Sequence, residues 1–351
     1  MTAAVVKEAL ERVLAGHDLT AGEAERVMDA IMSGEATPAQ VAGYLIALRM
    51  KGETPAEIAG SARAMRRHAT RVVTRHQGVV DTCGTGGDGS HTFNISTLAA
   101  IVVAAAGAPV AKHGNRSVSS RCGSADVLEA LGVRLDLDPA DLGRCLDEIG
   151  FVFLFAPRLH GAMRHAAGPR RELGVRTIFN LLGPLTNPVG ARYQLLGVYA
   201  PELVEPIARV LAELGIERAL VVHGAPGLDE ISVCGPTLVG RVEGGDVRLE
   251  RIEPADVGLP VYPVEALAGG DAGENAAIAR RILAGERGPR RDAVVLNAAG
   301  ALVAAGLAGD LREGMEMAGR CLDSGAAEAK LAELVRWTRA LSPRATGEAA
   351  G

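Results

Sequence analysis

From about residue 78 onward, short apolar runs alternate with segments of helical period, and this alternation limits the chain to few architectures. The runs are Val79–Val80, Pro109–Ala111, Phe151–Phe155, Leu195–Val198 and Ala219–Val222, with helices expected near 97–106, 124–131, 139–149 and 202–214. Parallel strands need long crossovers, and helices are the usual ones, so the texture predicts a largely parallel sheet covered by helices. The stretch DEISVCGPTLVGRVEGGDVRLERI, residues 229–252, reads instead as antiparallel strands turning at Gly244-Gly245-Asp246, which makes the sheet mixed. Helices return after about residue 272 and end near Leu341, and SPRATGEAAG, residues 342–351, reads as a frayed tail.

Residues 1–72 carry a different signature. Thr20-Ala-Gly-Glu23, Thr37-Pro-Ala-Gln40 and Thr54-Pro-Ala-Glu57 each place a cap residue three before Glu or Gln, the pattern of a capping box. Pro38 and Pro55 stand at first-turn positions, where a missing N–H costs little. Four short helices are expected, with apolar faces such as Val41, Tyr44, Leu45 and Leu48 that need a partner, and a helical subdomain with a dimer surface would supply one. The fold class is therefore α/β, a small all-helical domain joined to a large α/β domain.

Composition excludes several functions. A length of 351 residues with 48% hydrophobic content fills a sizeable core, while 3% aromatic residues, a single Trp and a net charge of −5 argue against nucleic acid as the main partner. The longest apolar run, Leu98 to Ala111, spans about 14 residues and includes Gly107 and Pro109, short of a membrane span. Cys83, Cys122, Cys145, Cys234 and Cys321 form no C-x-x-C pair, and their odd number suits a reducing cytoplasm better than a disulfide framework. No export signal is read at the N-terminus. The expected partner is a small molecule.

The stretch DTCGTGGDGSHTFNIST, residues 81–97, satisfies G-x-G-x-x-G at Gly84, Gly86 and Gly89. A dinucleotide site further requires a helix starting almost at the third glycine and an acid about 20 residues on. Here SHTFNIS intervenes, and Lys112 and Arg116 stand where the acid belongs. What remains is a glycine turn followed by Thr92, Asn94, Ser96 and Thr97 at a helix N-terminus, a set of donors suited to phosphate, with Asp88 suited to a sugar hydroxyl or a metal. A plain glycine turn with capping residues explains this loop equally well in isolation.

Three further stretches bear on that choice. KHGNRSVSSRCGSADVLEALG, residues 112–132, again follows a strand and precedes a helix, and Lys112, Asn115, Arg116, Ser117, Ser119, Ser120 and Ser124 have the composition of a polyphosphate cradle. HGAPGLDEIS, residues 223–232, sets Asp229 beside Glu230. Neighbours on a regular strand face opposite ways, so both serve one site only in irregular backbone or on separate ions, and Mg²⁺ takes a few carboxylates with phosphate oxygens and water. In GPRRELGVRTIFNLLGPLTNP, residues 168–188, Arg170, Arg171 and Arg176 offer a planar fork to a carboxylate, although helix-surface arginines are more common. His113, His160 and His165 lack metal-ligand spacing.

Taken in order and spacing over about residues 5 to 340, GTGGDGSHTFNIST, KHGNRSVSSRCGSADVLEALG, RRELGVRTIFNLLGPLTNP and HGAPGLDEIS closely resemble the anthranilate phosphoribosyltransferases. The resemblance implies a helical domain of residues 1–72, joined by an insertion around 165–190, hinged to an α/β domain of residues 73–341. It implies a nucleoside phosphorylase/phosphoribosyltransferase type of fold and a homodimer formed through the helical domain. The implied reaction transfers a 5-phosphoribosyl group from phosphoribosyl diphosphate to the amine of anthranilate, the second step of tryptophan biosynthesis from chorismate. The implied phosphoribosyl diphosphate site comprises Gly84, Gly87, Asp88, Thr92, Asn94, Ile95, Ser96, Thr97, Lys112, His113, Gly114, Asn115, Arg116, Ser117, Val118, Ser119, Ser120 and Ser124. Anthranilate falls to Gly84, Asn115 and Arg170, with His113 at its border. Magnesium, two ions per protomer, falls to Ser96, Asp229 and Glu230. No general base is implied, since an aromatic amine is neutral at pH 7. The chain departs from the family at His160-Gly161, where His-Pro is usual, and at Gly168-Pro169, where Pro-Val is usual. A Mg²⁺-independent pyrimidine-nucleoside phosphorylase and a non-catalytic nucleic-acid-binding relative are the competing readings.

Overall fold

A computed structural model describes residues 2–117 and 121–341, with the side chains of residues 2 and 3 excluded. Val118, Ser119 and Ser120 of the expected cradle and the tail 342–351 lie outside the described residues. The chain opens with α1 (Thr2–Leu14), α2 (Ala21–Met32), α3 (Pro38–Lys51) and α4 (Pro55–His68). All three expected capping boxes form, at Thr20 with Glu23, Thr37 with Gln40 and Thr54 with Glu57. Glu57 does more than cap: it is fully buried, its Oε1 accepts the Leu19 N–H at 2.9 Å, and its Oε2 accepts Lys51 Nζ at 3.0 Å. The α4 cap thus also fixes the chain entering α2. The two helices approach closely because Gly60 has no side chain, since a Cβ there would lie 2.0 Å from the Ala21 carbonyl oxygen.

Next come β1 (Val80–Gly84), α5 (Ile95–Ala105), β2 (Val110–Gly114), α6 (Ser124–Ala130), α7 (Pro139–Ile149) and β3 (Phe151–Phe155). A segment of short helices follows, α8 (Ala156–Leu159), α9 (Arg164–Leu173) and α10 (Phe179–Leu182). The chain then forms β4 (Tyr193–Gly197), α11 (Val204–Glu213), β5 (Arg218–Gly224), β6 (Thr237–Glu243) and β7 (Asp246–Ile252). It closes with α12 (Ala272–Leu283), α13 (Pro289–Ala305), α14 (Leu311–Asp323) and α15 (Ala326–Ala340). The seven strands lie in the order β3-β2-β1-β4-β5-β6-β7, parallel from β3 to β5 and antiparallel at β6 and β7.

Side chains alternate across this sheet, as a strand period of two requires. Leu195, Leu220 and Val222 join the core under α5 and α13, whereas Leu196, Ala219 and Val221 join a second core with α11 and the N-terminal helices. The apolar faces of α2 to α4, including Tyr44, Leu45 and Leu48, share that second core with Ala166, Phe179, Leu181 and Leu182 from the segment between β3 and β4. The helical part is thereby seated on one face of the sheet.

Two expectations about local structure change. The antiparallel pair begins at Thr237, and residues 229–236 are loop. There Ser232 donates its hydroxyl to the Ala225 carbonyl, and its N–H donates to Thr237 Oγ1 at 2.9 Å, so side chains take the place of ladder bonds. Strand β1 runs through Asp81 and Thr82 to Gly84, beyond the apolar pair that marks it in the sequence.

Removing the Glu57 carboxylate leaves the buried Leu19 N–H without its partner and takes one of two carboxylates from the nearly buried Lys51 ammonium, which keeps Asp18 at 2.7 Å. Glu57→Ala is expected to cost about 2 kcal/mol, the scale of an orphaned buried N–H, measured as the fall in unfolding free energy by denaturant titration, with the folded structure otherwise retained.

Candidate active site

In an open sheet of order 3-2-1-4-5, the chain leaves the C-terminal ends of β1 and β4 toward opposite faces, which opens a crevice at that edge. Both strands end in glycine, and Gly84 pairs with Gly197 in register. The HGAPGLDEIS loop lies across them. A Cβ on Gly84 would lie 2.4 Å from Asp229 Oδ2, and one on Gly197 would lie 1.6 Å from the Asp229 carbonyl oxygen. Only bare backbone at both strand ends admits the acidic loop.

That loop meets the glycine turn and the start of α5. Asp229 Oδ2 accepts the Gly86 N–H at 2.9 Å, and Glu230 Oε1 accepts the Ser96 N–H at 3.1 Å. The two carboxylates therefore face one region, as irregular backbone permits. Desolvation raises the Asp229 pKa first, and the nearby charge of Asp88 raises it further. Burial likewise raises Glu230, and Asp229 adds to it, while Lys112 opposes. Three acidic groups share a site with too little positive charge of its own. The carboxylates are crowded with Lys112 as the opposing charge, and each holds a main-chain N–H of the turn or of α5. Gly86, Gly87 and Gly89 have φ of +64°, +73° and +75°, a conformation natural to glycine.

The β2 strand ends beside this crevice, because β1 and β2 pair in parallel. The Lys112 ammonium is buried and donates to the Thr82 carbonyl and to Ser96 Oγ, the latter at 3.3 Å. Arg116, expected as a cradle cation, is turned onto α6: it pairs with Asp126 at 2.9 Å and with both oxygens of Glu129. Asp126 also accepts the Ser117 N–H at 3.1 Å and the Gly123 N–H at 2.8 Å, so it organises the loop. Asn115 Oδ1 accepts the Arg116 N–H at 2.7 Å, and Ser124 Oγ donates to the Asn115 carbonyl at 3.3 Å. Gly114 is required by Ser124, whose Oγ would lie 2.2 Å from a Cβ there.

Around α5, Asn94 is consumed by structure, donating to the Cys122 carbonyl at 3.2 Å and accepting from Asn275 at 2.9 Å. Ile95 is buried, the Thr97 hydroxyl is buried without a hydrogen-bond partner, and Thr92 forms a bridge to Ala268. Asp88 holds Ser90 through its N–H at 3.2 Å and its hydroxyl at 2.5 Å.

The arginine-rich segment divides its work. Arg170 stacks on Phe179, 4.9 Å from the ring centroid, and has no carboxylate partner among the described residues. Burial lowers its pKa. Arg176, expected to take a carboxylate alongside it, is engaged elsewhere: it lies over Tyr199 at 4.3 Å and donates to the Gly87 carbonyl. Arg171 is exposed.

His113 and His160 form a buried pair, Nε2 to Nε2 at 3.1 Å. His113 Nδ1 lies 3.2 Å from the Gly183 carbonyl, which can only accept. Nδ1 of His113 therefore carries the proton, its Nε2 accepts, and His160 donates from Nε2. Burial pushes His113 down to about 3, helped by His160, and pushes His160 down to about 4. Both rings are neutral where the molecule works.

Sequence reasoning passes over several residues that hold this arrangement. Asp81, fully buried, accepts the His113 N–H at 3.0 Å and Asn187 Nδ2 at 2.8 Å. Asn297 grips the acidic loop at Ile231, accepting its N–H and donating to its carbonyl, both at 2.9 Å. A buried Asn in the apolar stretch AVVLNAAGALVAA of α13 is the visible signal for it. Asp81 interrupts an apolar run in the same way.

Residues 7–69 match the helical bundle domain of the glycosyl transferase family, and residues 76–328 match its a/b domain. The anthranilate phosphoribosyltransferase of Pelotomaculum thermopropionicum is 60% identical over 99% of both chains, and that of Moorella thermoacetica is 59% identical over 95% of this chain and 98% of its own. A crystal structure of anthranilate phosphoribosyltransferase from Thermus thermophilus superposes with a TM-score of 0.90 at 50% identity, covering 94% of this chain and 99% of that one. The Saccharomyces cerevisiae enzyme in complex with PRPP and Mg superposes with a TM-score of 0.88 at 28% identity, covering 96% and 99%.

The neutral histidine pair carries a pH signature. Unfolded imidazoles titrate near about 6.5, above the folded values of about 3 and about 4. The stability tied to them is present above the unfolded value and is lost as pH falls toward the folded ones. His160→Asn is expected to flatten the decline of the melting temperature between about pH 7 and pH 5 relative to wild type, read by thermal melts across that range.

Proposed function

The chain belongs to the anthranilate phosphoribosyltransferases of the glycosyl transferase family, and on that premise we propose that it transfers the 5-phosphoribosyl group of phosphoribosyl diphosphate to the amine of anthranilate. The products are N-(5-phosphoribosyl)anthranilate and diphosphate, the second step of tryptophan biosynthesis. The observation that carries this reading is the meeting at one strand edge of acidic side chains with the donors of a phosphate site, Asp229 on Gly86 and Glu230 on Ser96.

Phosphoribosyl diphosphate is assigned to Gly84, Gly87, Asp88, Thr92 and residues 94–97, with residues 112–117 and Ser124. Among these, Asn94, Lys112 and Arg116, the last paired with Asp126 and Glu129, act from behind, holding the loops whose N–H groups and hydroxyls face the ligand. The acidic pair fits a hard cation: the carboxylates are desolvated, mutually repelling and only partly offset by Lys112. Mg²⁺ would be held by Ser96, Asp229 and Glu230, two ions per protomer, and would neutralise charge on the departing diphosphate.

Anthranilate is assigned to Gly84, Asn115 and Arg170. Arg170, without an acidic partner among the described residues and flattened on Phe179, offers the planar fork that suits a carboxylate. The amine nitrogen attacks C1 of the ribose as the bond from C1 to the diphosphate oxygen breaks. The nitrogen then sheds its proton to water, and a neutral aromatic amine needs no strong base for that attack. The neutral His113–His160 pair keeps positive charge away from the amine. Residues 1–72 with the insertion around 165–190 are read as the unit that brings the acceptor to C1 by closing on residues 73–341.

A homodimer through the helical domain is supported by the exposed Leu14 and Met50 at the ends of α1 and α3. No described helix is long and apolar enough to cross a membrane, and no disulfide joins the cysteines among the described residues, which suits the reducing cytoplasm.

Wild-type protein is expected to consume anthranilate, followed by its fluorescence, only when phosphoribosyl diphosphate and Mg²⁺ are both present. Asp229→Asn is expected to raise the Mg²⁺ concentration for half-maximal rate by roughly 10- to 100-fold. No turnover by wild type at any Mg²⁺ concentration overturns the function, and an unchanged Mg²⁺ requirement in the variant overturns the metal assignment alone.

A further inference from the structure

We propose that Arg176 is a positioning residue that locks the glycine turn into its phosphate-accepting conformation by holding the Gly87–Asp88 peptide, an inference that rests on the transferase reading above. Arg176 lies between α9, which packs on α2 and α3, and α10, and so belongs to the helical side of the molecule. Its guanidinium reaches the glycine turn of the α/β part, where it donates to the Gly87 carbonyl. Its flat face rests on Tyr199, 4.3 Å from the ring centroid. Tyr199 is itself tied to the turn, because its N–H donates to Thr85 Oγ1 at 3.0 Å, and the Thr85 N–H donates to the Gly197 carbonyl at 2.9 Å.

The turn needs such a grip. Gly86, Gly87 and Gly89 all take positive φ, and glycine passes between many backbone states at little cost, so while Asp88 ties Ser90 at the end of the turn, the Gly86–Gly87 stretch is left to be fixed from outside. Asp229 fixes the Gly86 N–H. Arg176 fixes the Gly87–Asp88 peptide, two further on, from its carbonyl end. A peptide is planar and trans, so holding the Gly87 carbonyl aims the Asp88 N–H in the opposite direction. That N–H has no hydrogen-bond partner among the described residues. A cation on the carbonyl also polarises the same peptide and strengthens its N–H as a donor toward an anion. Lysine would supply the charge but neither the planar stack on Tyr199 nor the forked geometry.

The experiment compares Arg176→Ala, Arg176→Lys and Tyr199→Leu with wild type by steady-state kinetics in both substrates and by amide hydrogen exchange of the ligand-free protein. Arg176→Ala is expected to raise KM for phosphoribosyl diphosphate about tenfold, the scale of a lost charge-assisted hydrogen bond. KM for anthranilate is expected to stay within about twofold of wild type. Exchange is expected to quicken at residues 86–91 and to be unchanged in the sheet. Arg176→Lys restores only part of the effect, and Tyr199→Leu reproduces part of it. An unchanged KM for phosphoribosyl diphosphate overturns the proposal, as does full rescue by Lys. A rise confined to KM for anthranilate also overturns it, by making Arg176 a direct acceptor contact. Absence of transfer by wild type defeats the reaction reading instead, and the exchange rates of residues 86–91 still decide whether Arg176 holds the turn.

Discussion

The lack of a side chain at the ends of four neighbouring strands is the constraint from which the site follows. Strands β2, β1, β4 and β5 end at Gly114, Gly84, Gly197 and Gly224. At each position a Cβ would meet another part of the site: Ser124 at Gly114, the Asp229 carboxylate at Gly84, the Asp229 carbonyl at Gly197, and Ser232 with the Glu230 carbonyl at Gly224. Strand ends normally carry side chains that hold incoming loops several ångströms above the sheet. Here the loops lie against backbone, which brings carboxylates into hydrogen-bond range of main-chain N–H groups.

Beneath that edge lies a polar layer that an apolar sheet would exclude. Asp81 and Lys112 are buried, and Thr82, His113, Asn187 and Gln194 are buried with them. Burying unpaired charge is costly, so each group is met: Asp81 by the His113 N–H and Asn187, Lys112 by the Thr82 carbonyl and Ser96, and Gln194 by the Pro184 carbonyl at 2.7 Å. Burial still raises the Asp81 pKa, with the Lys112 charge opposing it. The layer gives the strand ends fixed positions that apolar packing alone would leave free to slide.

Much of the fold is legible before any coordinates, because local rules act where tertiary contacts agree with them. The capping boxes at Thr20, Thr37 and Thr54 form as their spacing predicts, and Phe151–Phe155 is a strand with the expected bounds. Residues 229–236 look strand-like by composition but form loop, since Ser232 and Thr237 satisfy the backbone there and Asn297 from a distant helix clamps Ile231. Arg116 and Arg176 look like ligand cations, and each is engaged by the protein, one by acids of α6 and the other by Gly87 and Tyr199. Residue type announces that a charge is present. It does not announce where a long flexible side chain finds its partner.

The sequence by itself determined the alternation of strands and helices, the helical start, the phosphate-like character of two glycine- and serine-rich loops, and the resemblance that names the chemistry. These are properties of spacing and residue type over a few turns of chain. The tertiary structure alone decided that Asp229 and Glu230 face one crevice, that His113 and His160 share a proton-poor contact, and that Arg176 is held by Gly87 and Tyr199 while Arg170 stacks on Phe179. Those facts depend on segments more than 40 residues apart, as with Gly86 and Asp229 or His113 and His160. Only the strand order sets such distances, because it alone determines which chain ends meet at the sheet's edge.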